Sequence, residues 1–213
     1  MKNAIVLTDG LLMTSDAKTA HGLIRGTERF NIIGLVDGEA NAGKDAGVLL
    51  DGKHRDIPVF ATMEIAIEQL EKVDFLIIGV ATVGGRLPKN MLALIYEAVK
   101  KGISVVNGLH EYLNDKADLV AIAASTGAQL IDVRKPKSRA DLHFWDGAIF
   151  NVTAPIVAVI GMDCAMGKRT TARMLKQACI SEGIKAEMIY TGQTGWLQGG
   201  KYGFIFDSTL NDF

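Results

Sequence analysis

Short apolar runs rich in β-branched residues alternate with longer stretches of helical spacing from the start of the chain to beyond its midpoint, and few folds accommodate that rhythm. Residues 4–8 (AIVLT) read as a strand, followed by a helix-compatible stretch from Ala17 to Arg29. Residues 32–37 (IIGLVD) are a second strand, and residues 57–60 a short third that leads into helical spacing over 64–70. Residues 74–80 (DFLIIGV) are almost wholly apolar, as a strand covered on both faces must be. Residues 89–101 carry Met91, Leu94, Ile95 and Ala98 at helical spacing and stop at Gly102, a helix-ending residue. A strand over 103–106, an alanine-rich helix over 115–125 and a strand over 129–133 complete the series. Repeated βα alternation implies a mostly parallel sheet with helices on both faces. The fold class is therefore α/β, and residues 1–134 are expected to form a Rossmann-like domain.

Residues 135–154 are polar with scattered aromatics and read as a connector. A second unit spans 155–213. It opens with an apolar strand at 155–160 (PIVAVI), continues through a glycine-bearing loop into a helix over 168–182, and returns as a strand over 185–190. A glycine-rich loop runs through Gly200 to a third strand at 202–206, and the last residues, DSTLNDF, resemble a helix start capped by Asp207 or Ser208. Three strands and one complete helix fall short of the usual sheet of five or six strands. The second domain is accordingly expected to be truncated in this chain.

The chemistry concentrates in Gly161-Met-Asp-Cys-Ala-Met-Gly-Lys168-Arg-Thr-Thr171, between the strand and the helix. A phosphate needs converging backbone N–H groups, the positive end of a helix dipole and a fixed cation. Gly167 lets the backbone approach, Lys168 supplies charge, and the helix supplies the dipole. The pattern departs from G-x-x-x-x-G-K-[ST] in two places. Gly161 lies one residue further from Lys168, a spacing seen in loops like that of dethiobiotin synthetase, and Arg169 stands where the metal-binding hydroxyl is expected. Gly161, Gly167, Lys168, Arg169, Thr170 and Thr171 are the expected phosphate site, with Thr170 the substitute metal ligand if magnesium is used. A glycine turn without a ligand is the plainer alternative.

After the following strand comes Tyr190-Thr-Gly-Gln-Thr-Gly195, at a carboxyl strand end where ligands of open α/β sheets gather. Thr191, Gln193 and Thr194 are expected to meet a polar substrate. Asp163 and Asp207 are candidate general bases, although Asp207 serves equally as a helix cap. Asp37, at the end of the second strand, sits where an adenosine ribose would be bound, but no G-x-G-x-x-G follows the first strand, so a dinucleotide dehydrogenase is not supported. Residues 79–86 (GVATVGGR) offer an anion site, and His21 and His110 are within reach of the same crevice, although each is more often a structural histidine.

Net charge of -1 and a pI near 6.4 argue against a nucleic-acid or anionic-membrane field. Arg134, Lys135, Lys137 and Arg139 form the one dense basic group, interrupted by Pro136. Two cysteines, Cys164 and Cys179, suggest a reducing compartment, and Cys164 is read as a packing residue. With no signal peptide or apolar span, the cytoplasm is expected. The partners expected are a small-molecule substrate and further copies of the chain, with no nucleic acid and no membrane.

Four stretches together, KTAHGLIRG, RKPKSRADLHFWDG, GMDCAMGKRTT and YTGQTGWLQGGKYGFIFD, resemble the DgcN-type D-glutamate N-acetyltransferase family. That family was formerly a domain family of unknown function and is often labelled NAD-dependent epimerase/dehydratase. The resemblance covers the whole chain and implies a Rossmann-like N-terminal domain followed by a P-loop domain extending past residue 213. It also implies acetyl transfer from acetyl-CoA to the amino group of D-glutamate or a related amino acid, with residues 167–171 at the phosphates and residues 191–195 as a second ligand loop. Arg169 matches the family, which carries arginine after the P-loop lysine. An ATP-dependent ligase or kinase using Mg2+, and a nucleotide-binding module without chemistry, are the competing expectations.

Overall fold

The computed structural model of the chain describes residues 1–136, 138–141, 144–162 and 166–205. Strands β1 (Lys2–Leu7), β2 (Phe30–Val36), β3 (Val59–Phe60), β4 (Phe75–Ile78), β5 (Ser104–Asn107) and β6 (Leu130–Asp132) form one parallel sheet in the order β3-β2-β1-β4-β5-β6. The chain moves outward from β1 through β2 to β3, then returns to the other side of β1 and moves out again. The loops after β1 and β4 therefore diverge, which opens a crevice at the carboxyl ends of the central strands.

The central strands are apolar on both faces because helices cover both. On one face Ile5, Leu7, Leu76, Ile78 and Val105 pack with residues of α3 (Met63–Gln69), α4 (Lys89–Lys100) and α5 (Ala117–Thr126), among them Met91, Ile95 and Leu119. On the other, Ala4, Val6, Leu35, Ile77 and Val106 pack with Ala20, Leu23 and Ile24 of α1 (Lys18–Ile24) and Ala46 of α2 (Ala46–Asp51). Each fully buried leucine or isoleucine contributes about 1.5–3 kcal/mol. Helix starts follow local chemistry: Asp45 accepts from the Val48 amide at the head of α2, and Thr62 from the Ile65 amide at the head of α3.

Beyond β6 the second unit contains α6 (Lys168–Ser181), β7 (Ile189–Tyr190), α7 (Gln193–Leu197) and β8 (Tyr202–Gly203), with β7 and β8 paired in parallel. Three expectations change here. Residues 155–160 form no strand; Ile156, Val157 and Ile160 are 73%, 76% and 87% exposed. An apolar run becomes a strand only where a neighbour takes its backbone hydrogen bonds, and among the described residues none pairs with it. For the same reason the strand expected over 185–190 shrinks to β7, and the one over 202–206 to β8. The helix start expected at 207–208 lies outside the described residues.

The second unit is nevertheless anchored. Leu197 of α7 is fully buried in the α1-side core. Arg29 lies over the Trp196 ring at 4.1 Å and donates through Nε to the Trp196 carbonyl at 2.7 Å. Gln198 Nε2 donates to the carbonyls of Gly22 and Gly26. Among the described residues no helix is long and apolar enough to cross a membrane.

Candidate functional site

Gly167 immediately precedes α6 with φ of 90°, a left-handed conformation that side-chain-bearing residues rarely adopt. Among the described residues no side chain caps that end and no acidic residue lies in the first turn, while the Thr171 amide begins the helical ladder by donating to the Gly167 carbonyl at 2.9 Å. The first-turn amides of any helix lack intrahelical acceptors and sit at its positive end, so an anion is a fitting partner for them. Lys168 folds back over Gly161: its Cδ and Cγ lie 3.2 Å, and its Nζ 3.8 Å, from where a β-carbon on Gly161 would sit. Gly161 is therefore the floor under the lysine stem, which explains a glycine one residue further away than the usual pattern. Lys168 and Thr170 are half-buried and Thr171 is exposed. Asp163 and Cys164 lie outside the described residues, as does Asp207.

Arg169 has a different place from the one expected. Its guanidinium lies against Gly22 of α1, with one nitrogen 2.8 Å from where a β-carbon would sit there. Burial, then the neighbouring Arg25 and Arg173, push its pKa down to about 10. Arg173 beside it pairs with Glu28. Arg169 thus packs into the seam between the two units.

Of the second ligand loop, Thr191 remains exposed, but Gln193 and Thr194 are only 8% and 5% exposed. Thr194 Oγ1 lies 3.2 Å from Thr19 Oγ1 of α1, and Gln193 packs over Gly108. Both side chains thus take part in docking the second unit on the first. Asp37 is placed inside the turn after β1. It is 2% exposed, and its Oδ1 accepts from Thr8 Oγ1 (2.6 Å), the Gly10 amide (3.1 Å) and the Leu12 amide (2.9 Å), while Oδ2 accepts from Asn41 Nδ2 (2.7 Å). A carboxylate engaged in this way braces the turn after β1. His21 is structural, its Nε2 2.6 Å from the Leu12 carbonyl oxygen.

The glycine-rich segment after β4 and His110 do come together. A cavity of about 480 Å³ at the carboxyl ends of β4 and β5 is lined by residues including Lys18, Thr82, Gly85, Gly108, His110 and Arg134. A neighbouring cavity of about 430 Å³ shares Gly84 and His110 and adds Arg86 and Glu111. Lys18, at the head of α1, and Arg134, just past β6, were not singled out as site residues, although each opens one of the stretches that carry the family resemblance. Burial, and secondarily Arg134, hold His110 below its ordinary pKa.

Comparison with known proteins adds to this geometry. A family model described as a Rossmann-like domain of unknown function, DUF1611_N, matches residues 39–136, and its companion, the DUF1611 P-loop domain, matches residues 143–213. Two curated relatives are named D-glutamate N-acetyltransferase. One, from Tritonibacter scottomollicae, is 35% identical over 138 residues, and one from a Pseudoalteromonas species is 31% identical over 137. The matches take in 65% and 64% of this chain but only 40% of either relative. The crystal structure of a DUF1611 family protein from Anabaena variabilis superposes with a TM-score of 0.86 at 30% identity, covering 100% of this chain and 60% of that one.

Proposed function

The chain belongs to the DUF1611 family, with its Rossmann-like N domain and P-loop C domain, and on that premise we propose that it is a P-loop-containing N-acyltransferase that moves acetyl from acetyl-CoA to the amino group of D-glutamate or a related amino acid. The observation that carries this reading is the start of α6, where first-turn amides with no side-chain cap among the described residues lie beside Lys168 at one end of a helix. CoA bears a diphosphate, and these groups answer its charge and geometry. The names of the two curated relatives support the choice of acyl donor and acceptor.

Acetyl-CoA would supply an activated acyl group: a C–N bond forms as the C–S bond breaks, the CoA sulfur leaves as a thiol, and the acceptor's ammonium gives up a proton to a base. The chain's part is to fix the diphosphate through Lys168 and the α6 amides and so bring donor and acceptor together. Arg169 replaces the hydroxyl that would hold magnesium and is committed to α1. That arrangement suits a metal-free grip on a diphosphate better than transfer of a γ-phosphoryl group.

The test mixes the full chain with acetyl-CoA and D-glutamate, and separately with Mg-ATP and the same acid. N-acetyl-D-glutamate by mass spectrometry together with free thiol is the expected outcome. ADP release instead would assign the chain to the ligase or kinase class. Lys168→Ala is expected to abolish acetyl-CoA binding with the circular dichroism spectrum unchanged; undiminished affinity in that variant would remove the P-loop from the account.

A further inference from the structure

We propose that the cavity at the carboxyl ends of β4 and β5 is the subsite for the amino-acid acceptor, with Lys18 and Arg134 taking its carboxylate and His110 accepting a hydrogen bond from its amino group. The identity of the acceptor rests on the acyl-transfer reading; the site itself rests on geometry.

Position is the first argument. The lining comes from the loop after β4, the turn after β5, the head of α1 and the residue just past β6. Those segments meet at the carboxyl edge of the sheet, beside the switch point between β1 and β4, the edge at which open α/β folds take ligands. At the neighbouring strand end Asp37 is engaged by the turn after β1. The cavity itself is sized for a small molecule.

Charge is the second. Lys18, Arg86 and Arg134 are cationic across the two adjoining cavities, and the one acidic lining residue, Glu111, is already answered by Lys116 Nζ at 2.7 Å and the Leu87 amide at 3.0 Å. A net positive lining favours a carboxylate.

Rigidity is the third. Gly85 has φ of 64°, and a β-carbon there would lie 2.4 Å from the His110 ring, so the ring sits directly on bare backbone. The His110 amide donates to the Gly85 carbonyl at 3.0 Å, and Arg134 Nε donates to the Gly108 carbonyl at 2.6 Å. Both side chains are held in place before any ligand arrives, as a recognition site requires. Gly108 also carries Gln193 of the P-loop unit on its other side, so this cavity borders the seam along which the acyl donor's domain is docked.

The experiment titrates D-glutamate, inorganic phosphate and acetyl-CoA separately into the full chain, followed by NMR, for the wild type, Lys18→Met, Arg134→Gln and Lys168→Ala. D-glutamate affinity is expected to fall at least tenfold in the first two variants, with acetyl-CoA affinity within twofold of wild type; Lys168→Ala should show the reverse. Lys18 is exposed, so its variant should fold normally and decides the matter alone if Arg134→Gln does not fold. Unchanged D-glutamate affinity in Lys18→Met, no D-glutamate binding to the wild type, or a parallel loss of phosphate or acetyl-CoA binding would overturn the proposal. Lys18-dependent D-glutamate binding in a chain that ignores acetyl-CoA would instead overturn the acyl-transfer reading and keep the subsite.

Discussion

A guanidinium nitrogen of Arg169 lies 2.8 Å from the point where a β-carbon on Gly22 would sit, and Thr194 Cγ2 lies at the same distance from it. The first turn of the P-loop helix and the middle of α1 therefore meet where only a hydrogen fits. Glycine inside a helix costs about 0.5–1 kcal/mol relative to alanine, so this residue is retained for the close approach and against helix propensity. The phosphate loop is thereby coupled to the N-terminal domain: whatever moves α1 against α6 moves Lys168.

Gly22→Ala tests that coupling. Propensity alone would make it stabilising, but the methyl group must displace both Arg169 and Thr194, and overpacking of this kind costs about 1–3 kcal/mol. Urea unfolding is expected to show a net loss of stability, and acetyl-CoA affinity should drop with it. Adding Arg169→Ala to Gly22→Ala should recover part of both losses. A variant as stable as wild type would mean that the seam yields.

Asp37→Ala is expected to destabilise the fold by about 1–3 kcal/mol, since it strands the buried Leu12 amide, removes the acceptor of the Gly10 amide and leaves the Thr8 hydroxyl with the Val36 carbonyl alone. Acetyl-CoA affinity of the folded fraction should stay within twofold of wild type. Ligand affinity that collapses while the melting temperature holds would return Asp37 to the role of a ribose acceptor.

The first domain was almost fully legible in sequence because its strands are buried on both faces, and that condition writes itself as unbroken apolar runs such as 74–80. The second unit was legible only where local chemistry decides the structure. Gly167, Lys168 and the helix behind them appear as expected, because a left-handed glycine and a helix start are short-range events. Residues 155–160 carry an equally clear strand pattern, yet no strand forms, since pairing is decided by a neighbour and not by the run itself. Gln193 and Thr194 misled for a related reason. A polar residue at a strand's carboxyl end looks the same whether it meets a ligand or the hydroxyl of Thr19. Arg169 could not be placed from sequence, because its partner is a missing side chain at Gly22. Lys18 and Arg134 open two of the stretches that carry the family resemblance, but nothing in those stretches says that they face each other; the strand order brings them to one cavity.

Tyr96 donates its phenol proton to Asp118 Oδ2 at 2.6 Å, and that bond, with some burial, pushes its pKa up to about 12. The bond requires the neutral phenol, so its contribution to stability is fully present below pH 10 and is lost as pH rises from 10 toward 12. Phenolate absorbance, taken as wild type minus Tyr96→Phe, should titrate near the upper value. Asp118→Asn should bring it back toward the ordinary range; no movement in that variant would assign the shift to burial.

His110 gives a test of the cavity that does not depend on catalysis. Its ring is held below its ordinary value by burial first and by Arg134 second, and the other charged groups around the two cavities are Lys18, Arg86 and Glu111. The unfolded chain protonates this histidine near pH 6.5, before the folded chain does. Its contribution to stability is therefore present above that pH and is lost as pH falls through the lower, folded value. In the proposed pose the acceptor's amino group donates to the ring and favours its neutral form more than the carboxylate between Lys18 and Arg134 favours the charged one. NMR titration of the ring protons is accordingly expected to give a midpoint below 6.5 in the free chain and one lower still with saturating D-glutamate. Arg134→Gln should raise the free value only in part, because burial is the larger cause. A midpoint that ignores D-glutamate under saturating conditions would place the acid elsewhere and leave His110 as a wall residue of an idle cavity.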